Sequence, residues 1–269
     1  MKKHKFLPVA VILLVLLVSC GTSNPFGEKN PFVYSIEQEG SYVFTTTDKN
    51  TVDSFADFGP LEYKRVSGFY NPDTGLFCGA VEGSFSKAAV NTALSVSNQF
   101  EKVKEGKFTF YRHRESNLQL YAPANGIILF SNGYVEDLYN QAFVAKSENS
   151  HADLATRILS ASTGVYVSSP TVLPDLGFDI STEAAERFNY IVILSDSEKY
   201  NAEFSMKTEK FADSFLTLIR TAYTTALREK GEKINTSYLK TIMLKQNNSV
   251  FLLEQDYDSK LISGILGQI

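Results

Sequence analysis

Residues 107–114 bring Lys107, Arg112 and Arg114 together with Phe108, Phe110, Tyr111 and His113. Cationic donors interleaved with aromatic faces suit an anionic glycan or a phosphate. Arg112, His113 and Arg114 are therefore the ligand-binding candidates. The same residues also suit an edge strand whose charges discourage strand-to-strand association. The other histidines are His4 and His151, the latter in Ser150-His151-Ala152-Asp153. Two distant histidines without a cysteine cluster give no zinc spacing, and Asp196, Asp256 and Asp258 do not match a calcium loop. The chain has no Gly-x-Ser-x-Gly elbow, no P-loop and no dinucleotide fingerprint. No catalytic residue, metal or cofactor is expected. Cys78, within Leu76-Phe77-Cys78-Gly79-Ala80-Val81, reads as a core thiol rather than a nucleophile.

The elements that must position these residues are those of an α+β chain. Tyr63–Tyr70 and Leu76–Phe85 flank the turn Asn71-Pro72-Asp73-Thr74-Gly75 and predict a hairpin. Ala89, Ala93, Val96 and Phe100 recur at spacings of three and four, which predicts a helix from Ser86 to about Val103. Strands are expected over 107–112, 117–121 and 127–130, the last entered through Asn125-Gly126, with a helix from Tyr134 to Ala145. In the second half the pattern predicts strands over 164–167, 190–194, 200–206, 238–245 and 250–253. A long helix is expected over 208–230 and a closing one over 257–266.

An offset of 123 superposes the halves. Tyr42-Val43-Phe44 falls on Val165-Tyr166-Val167, Asn125 on Asn248, Ile127–Phe130 on Val250–Leu253, and Tyr134 on Tyr257. Shared element order and apolar pattern, more than identities, carry this expectation. The expected architecture is thus α+β in two tandem similar halves, each an antiparallel sheet covered by helices, ferredoxin-like or related. Residues 41–146 and 164–269 form the halves and 147–163 the connector.

The N-terminus adds a different chemistry. Lys2, Lys3 and Lys5 precede a mostly apolar run from Phe6 to Val18, which reads as a signal segment too short to span a bilayer comfortably. It closes on Leu17-Val18-Ser19-Cys20, which resembles the lipobox of bacterial lipoproteins. The resemblance implies cleavage after residue 19 and acylation of Cys20, with residues 20–40 as a tether punctuated by Asn24-Pro25-Phe26 and Asn30-Pro31-Phe32. It also implies a location on the cell membrane or outer membrane, held by lipid and extracytoplasmic. The body is similar in element order to uncharacterised α+β envelope lipoproteins.

Loss of residues 1–19 removes three lysines, leaving 23 Lys+Arg against 30 Asp+Glu and a net charge of about −7. That sign disfavours nucleic acid. Hydrophobic residues at 43% are enough for a packed core, so the body is not a disordered tether. With Cys20 acylated, Cys78 has no partner for an intramolecular disulfide. The expected function is a non-enzymatic binding or scaffolding role in the envelope, with a protein or glycan partner. The alternative is a small-molecule or glycan-binding lipoprotein with a cleft between the halves, and a hydrolase is the third reading.

Overall fold

The computed structural model describes residues 42–49, 52, 61–71, 73–144, 152–168, 182–196, 199–233 and 235–256. Expectations for Cys20, the tether, His151 and the helix over 257–266 lie outside them. The chain is α+β, with a large antiparallel sheet and few helices. It folds into two compact units. The first takes the described residues of 47–67 and 77–147, the second those of 32–46, 68–76 and 148–269.

The first unit holds most of β2 (Glu62–Asn71) and β3 (Leu76–Ser84), then α1 (Lys87–Val96), β4 (Phe100–Glu105), β5 (Phe108–His113), β6 (Gln119–Tyr121), β7 (Ile127–Ser131) and α2 (Val135–Tyr139). A π-helical turn, Asn140–Val144, extends α2. The strand order is β2-β3-β7-β6-β5-β4, and each neighbouring pair from β3 to β4 is antiparallel. Strand β7, Ile-Ile-Leu-Phe-Ser, is buried at every position, as a strand covered on both faces must be. Leu120, Val90, Leu94, Val135 and Leu138 are buried as well.

The helix expected over 86–103 ends at Val96. Its buried positions are Val90 and Leu94, whereas Ala89 and Val96 face solvent. Ser86 caps the start, its hydroxyl accepting from the Ala89 amide. Ser97 adopts an extended conformation at the other end, and Phe100 is buried from a strand rather than from the helix. The apolar spacing that suggested one long helix joined residues from two elements.

The second unit holds β1 (Tyr42–Thr46), α3 (Ala152–Ser160), β8 (Thr163–Val167), α4 (Thr182–Ala185), β9 (Phe188–Asp196), β10 (Lys199–Met206), α5 (Glu209–Glu229), α6 (Thr236–Ile242), β11 (Met243–Gln246) and β12 (Ser249–Asp256). Its strand order is β11-β12-β10-β9-β8-β1, antiparallel throughout. Strand β12 lies between β10 and β11, so the helical connection from β10 to β11 crosses a split pair. In the first unit β7 lies likewise between β3 and β6.

Helix α5 buries Ala212, Phe215, Leu216 and Ile219 against Phe188 and Phe204, whose ring centroids lie 5.3 and 5.0 Å from that of Phe215. The Thr208 hydroxyl caps it by accepting from the Phe211 amide. The strand expected over 238–245 is instead the end of α6 followed by β11. The Asn235 carboxamide oxygen accepts from both Ser237 and Tyr238 amides, which commits the chain to a helical turn, and Leu239 and Ile242 then bury one face.

Candidate functional site

Strand β4 reads Phe-Glu-Lys-Val-Lys-Glu. Pairing with β5 sets Phe100 against His113, Lys102 against Tyr111 and Lys104 against Thr109, while Glu101, Val103 and Glu105 oppose Arg112, Phe110 and Phe108. Alternation along a strand then sorts the charges. Lys102 and Lys104 share one face with Thr109 and Tyr111. Glu101 and Glu105 lie on the other. A two-residue turn, Gly106-Lys107, joins the strands. Gly106 has φ +58°, which costs glycine no Cβ clash.

Helix α1 packs over the Tyr111 end of the lysine face, and Lys102 and Lys104 are themselves exposed. The Tyr111 hydroxyl donates to the Asn91 carbonyl at 3.0 Å. The turn before β7 clamps the start of α1. Asn125 Oδ1 accepts from the Lys87 amide at 2.9 Å, and the Gly126 amide donates to Phe85 O at 2.8 Å. Lys87 Nζ donates to Pro123 O at 3.1 Å and lies 5.7 Å from the Tyr121 ring centroid.

Between these elements is a cleft of about 280 Å³, lined by Lys87, Asn91, Lys102, Lys107, Phe108, Thr109, Tyr111 and Tyr121. It holds three cations and no carboxylate, in a chain whose net charge is −4. Neither Lys102 nor Lys107 has an ion-pair partner among the described residues. Phe108 and Tyr121 form the apolar wall, with centroids 4.3 Å apart, and Tyr139 backs it at 5.8 and 5.4 Å. The π-helical turn stacks Phe143 on Tyr139 at 5.2 Å, a local geometry that recurs at functional sites. Burial pushes the Tyr111 and Tyr121 phenols above their ordinary values, and Tyr139 adds to the shift at Tyr121. Both remain neutral hydrogen-bonding groups at physiological pH.

The three sequence candidates do not converge. Arg112 projects to the opposite face, where its Nη2 meets Glu105 Oε1 at 3.4 Å and its guanidinium lies 5.6 Å from the Phe110 centroid. His113 packs edge-on against Phe100 at 5.2 Å, and its Nδ1 is 3.2 Å from the Ser116 hydroxyl. Arg114 is exposed, and its amide donates to Gln99 O. Of the basic-aromatic stretch, Lys107, Phe108 and Tyr111 reach the cleft. Lys87, Asn91, Lys102, Thr109 and Tyr121 were not singled out from the sequence. The alternating charges of 101–105 were the available signal, hidden because that segment read as the end of a helix.

A second polar cluster lies in the second unit. Glu203 is buried and accepts from the Tyr190 hydroxyl at 2.8 Å and from Arg157 Nη2 at 2.9 Å. Burial, with Glu203 adding, pushes the Tyr190 phenol up. These bonds occupy the carboxylate and tie α3 to the sheet, so the cluster is structural. Among the described residues no group of His, Cys, Asp and Glu could hold a metal, and no helix is long and apolar enough to cross a membrane.

No family model and no curated protein matches the chain. Solved structures of TP0453 do. Crystal form I aligns with a TM-score of 0.54 over 92% of this chain and 98% of that one. Form IV gives 0.53 over 91% and 100%, and form III gives 0.51 over 92% and 99%. Identity is 10% in each, so the likeness is one of fold.

Proposed function

We propose that this is a lipid-anchored, non-enzymatic envelope protein that binds a small anionic ligand in the cleft of its first unit. The observation that carries the binding role is the charge of that cleft: three lysines and no carboxylate in an acidic chain. Two uncommitted ammonium groups beside an apolar wall attract an anion, and the lining holds no histidine, cysteine or carboxylate. The anchor rests on the lipobox resemblance at Leu17–Cys20. The ligand, on this reading, is held within one unit.

The body is a duplication, and three features support it. Strands β1-β2-β3-β7-β6 and β8-β9-β10-β12-β11 run in the same order at the 123-residue offset. Each half carries a split crossover of the kind found in ferredoxin-like folds. Val43 pairs with Tyr166, its own counterpart, in the antiparallel register of a strand meeting its copy. The β4–β5 hairpin interrupts the match, since the end of α5, and not a strand, occupies the positions of the second half that correspond to β4. Lys102, Lys107, Phe108, Thr109 and Tyr111 thus line the cleft from a hairpin that interrupts the match.

Calorimetric titration of the detergent-solubilised full chain with inorganic phosphate tests the binding role. Binding should weaken as salt is added and vanish in a Lys102→Ala/Lys107→Ala double variant. No binding, or equal binding by the double variant, would rule the role out.

A further inference from the structure

We propose that the ligand is a phosphorylated, hydroxylated ring: a sugar phosphate. The inference rests on the anion-binding reading of the cleft and specifies the ligand class. The charge comes first. All three cations are lysines, and no arginine lines the cleft. Arginine's planar fork matches a carboxylate in two parallel hydrogen bonds, whereas ammonium groups act as point charges that can approach a tetrahedral oxyanion from several directions. Lys87 is committed to Pro123 O and the Tyr121 ring. Lys102 and Lys107 remain, one from β4 and one from the hairpin tip. Two free positive charges match the roughly −1.5 to −2 charge of a phosphomonoester at neutral pH.

The rest of the lining selects what the phosphate is attached to. A cleft of about 280 Å³ is small, below the roughly 300–1,000 Å³ typical of sites for drug-sized ligands. It suits one ring with one phosphate. Asn91 and Thr109 bring an amide and a hydroxyl with no side-chain hydrogen bond among the described residues, and the Tyr121 phenol adds a donor. Such groups answer ring hydroxyls. Phe108 and Tyr121 supply the apolar surface against which the C–H face of a sugar packs.

Calorimetry with glucose 6-phosphate, inorganic phosphate and glucose separates this inference from the broader reading. Glucose 6-phosphate should bind about ten-fold or more tighter than phosphate, with glucose undetectable. Thr109→Val preserves shape and should remove about three- to ten-fold of the sugar phosphate's affinity while leaving phosphate binding unchanged. Lys102→Ala/Lys107→Ala should abolish both. Equal affinities for glucose 6-phosphate and phosphate would overturn the sugar phosphate and leave the anion site standing. Binding of neither would overturn both. Phosphomannan, a phosphorylated polysaccharide, distinguishes the sources. Competition with glucose 6-phosphate supports a phosphoglycan of the envelope, and its absence supports a free sugar phosphate.

Discussion

A single carboxyl shows how burial and charge compete in this chain. Glu82 lies on β3 opposite Ile127. Burial pushes its pKa up, and the Arg65 charge opposes the shift without cancelling it. A carboxyl with a raised folded-state pKa binds its proton more tightly when folded. Its stabilising contribution is complete below the unfolded value and is lost as pH rises through the folded one. Glu82→Gln mimics the protonated form. Urea unfolding should therefore show the variant gaining stability over wild type between about pH 4 and pH 7. A constant difference across that range would mean that Glu82 is not desolvated. Cys78 follows the same logic. Burial pushes its thiol up to about 12, so no thiolate is present at neutral pH, in keeping with a core role.

Among the elements, α3 is held to the sheet at two points. Arg157 reaches Glu203, and the last turn lies so close to β8 that only glycine fits beneath it. A Cβ on Gly164 would come within 2.7 Å of Ile158 Cγ2 and 2.8 Å of Ile158 O, and Ile158 is fully buried. Gly164→Ala should cost about 1–3 kcal/mol in urea unfolding, and an unchanged midpoint would show that α3 does not pack there. How far such elements could be read from the sequence depended on whether neighbours in the chain supplied the apolar spacing. Helix α5 was legible because Phe211, Phe215, Leu218, Ile219 and Ala222 recur within one element, and the Asn125-Gly126 turn because its backbone requirement is local. The β4–β5 hairpin was not. Phe100 continued the helical spacing of α1, and only the cap at Ser97 and pairing with β5 turned Glu101–Glu105 into a strand. With that strand unread, the lysine face and the cleft were invisible, and attention fell on Arg112, His113 and Arg114, which the strand sends in different directions.

At the scale of the whole molecule, the proposed anchor and the described fold belong to different stretches. The proposed anchor predicts that cells given a palmitate analogue label the wild-type protein. Cys20→Ala should lose the label entirely and leave the membrane fraction. Unchanged labelling and fractionation would eliminate the lipid anchor. The described body has its own ordering problem, which begins at β1. Thr46 and Thr163 face each other with hydroxyls 3.0 Å apart, yet they are separated by 117 positions in the chain. Synthesis proceeds from the N-terminus at roughly 5–20 residues per second, so β1 exists for on the order of ten seconds before β8 has been made. During that interval Tyr-Val-Phe-Thr-Thr, an aromatic and β-branched pentapeptide, lacks the antiparallel neighbour that later covers that edge. Such a segment can pair with another chain as readily as with its own. The first described strand is therefore closed on that edge only after six later strands, β2 to β7, have been made, and its edge stays open until residue 167 has emerged.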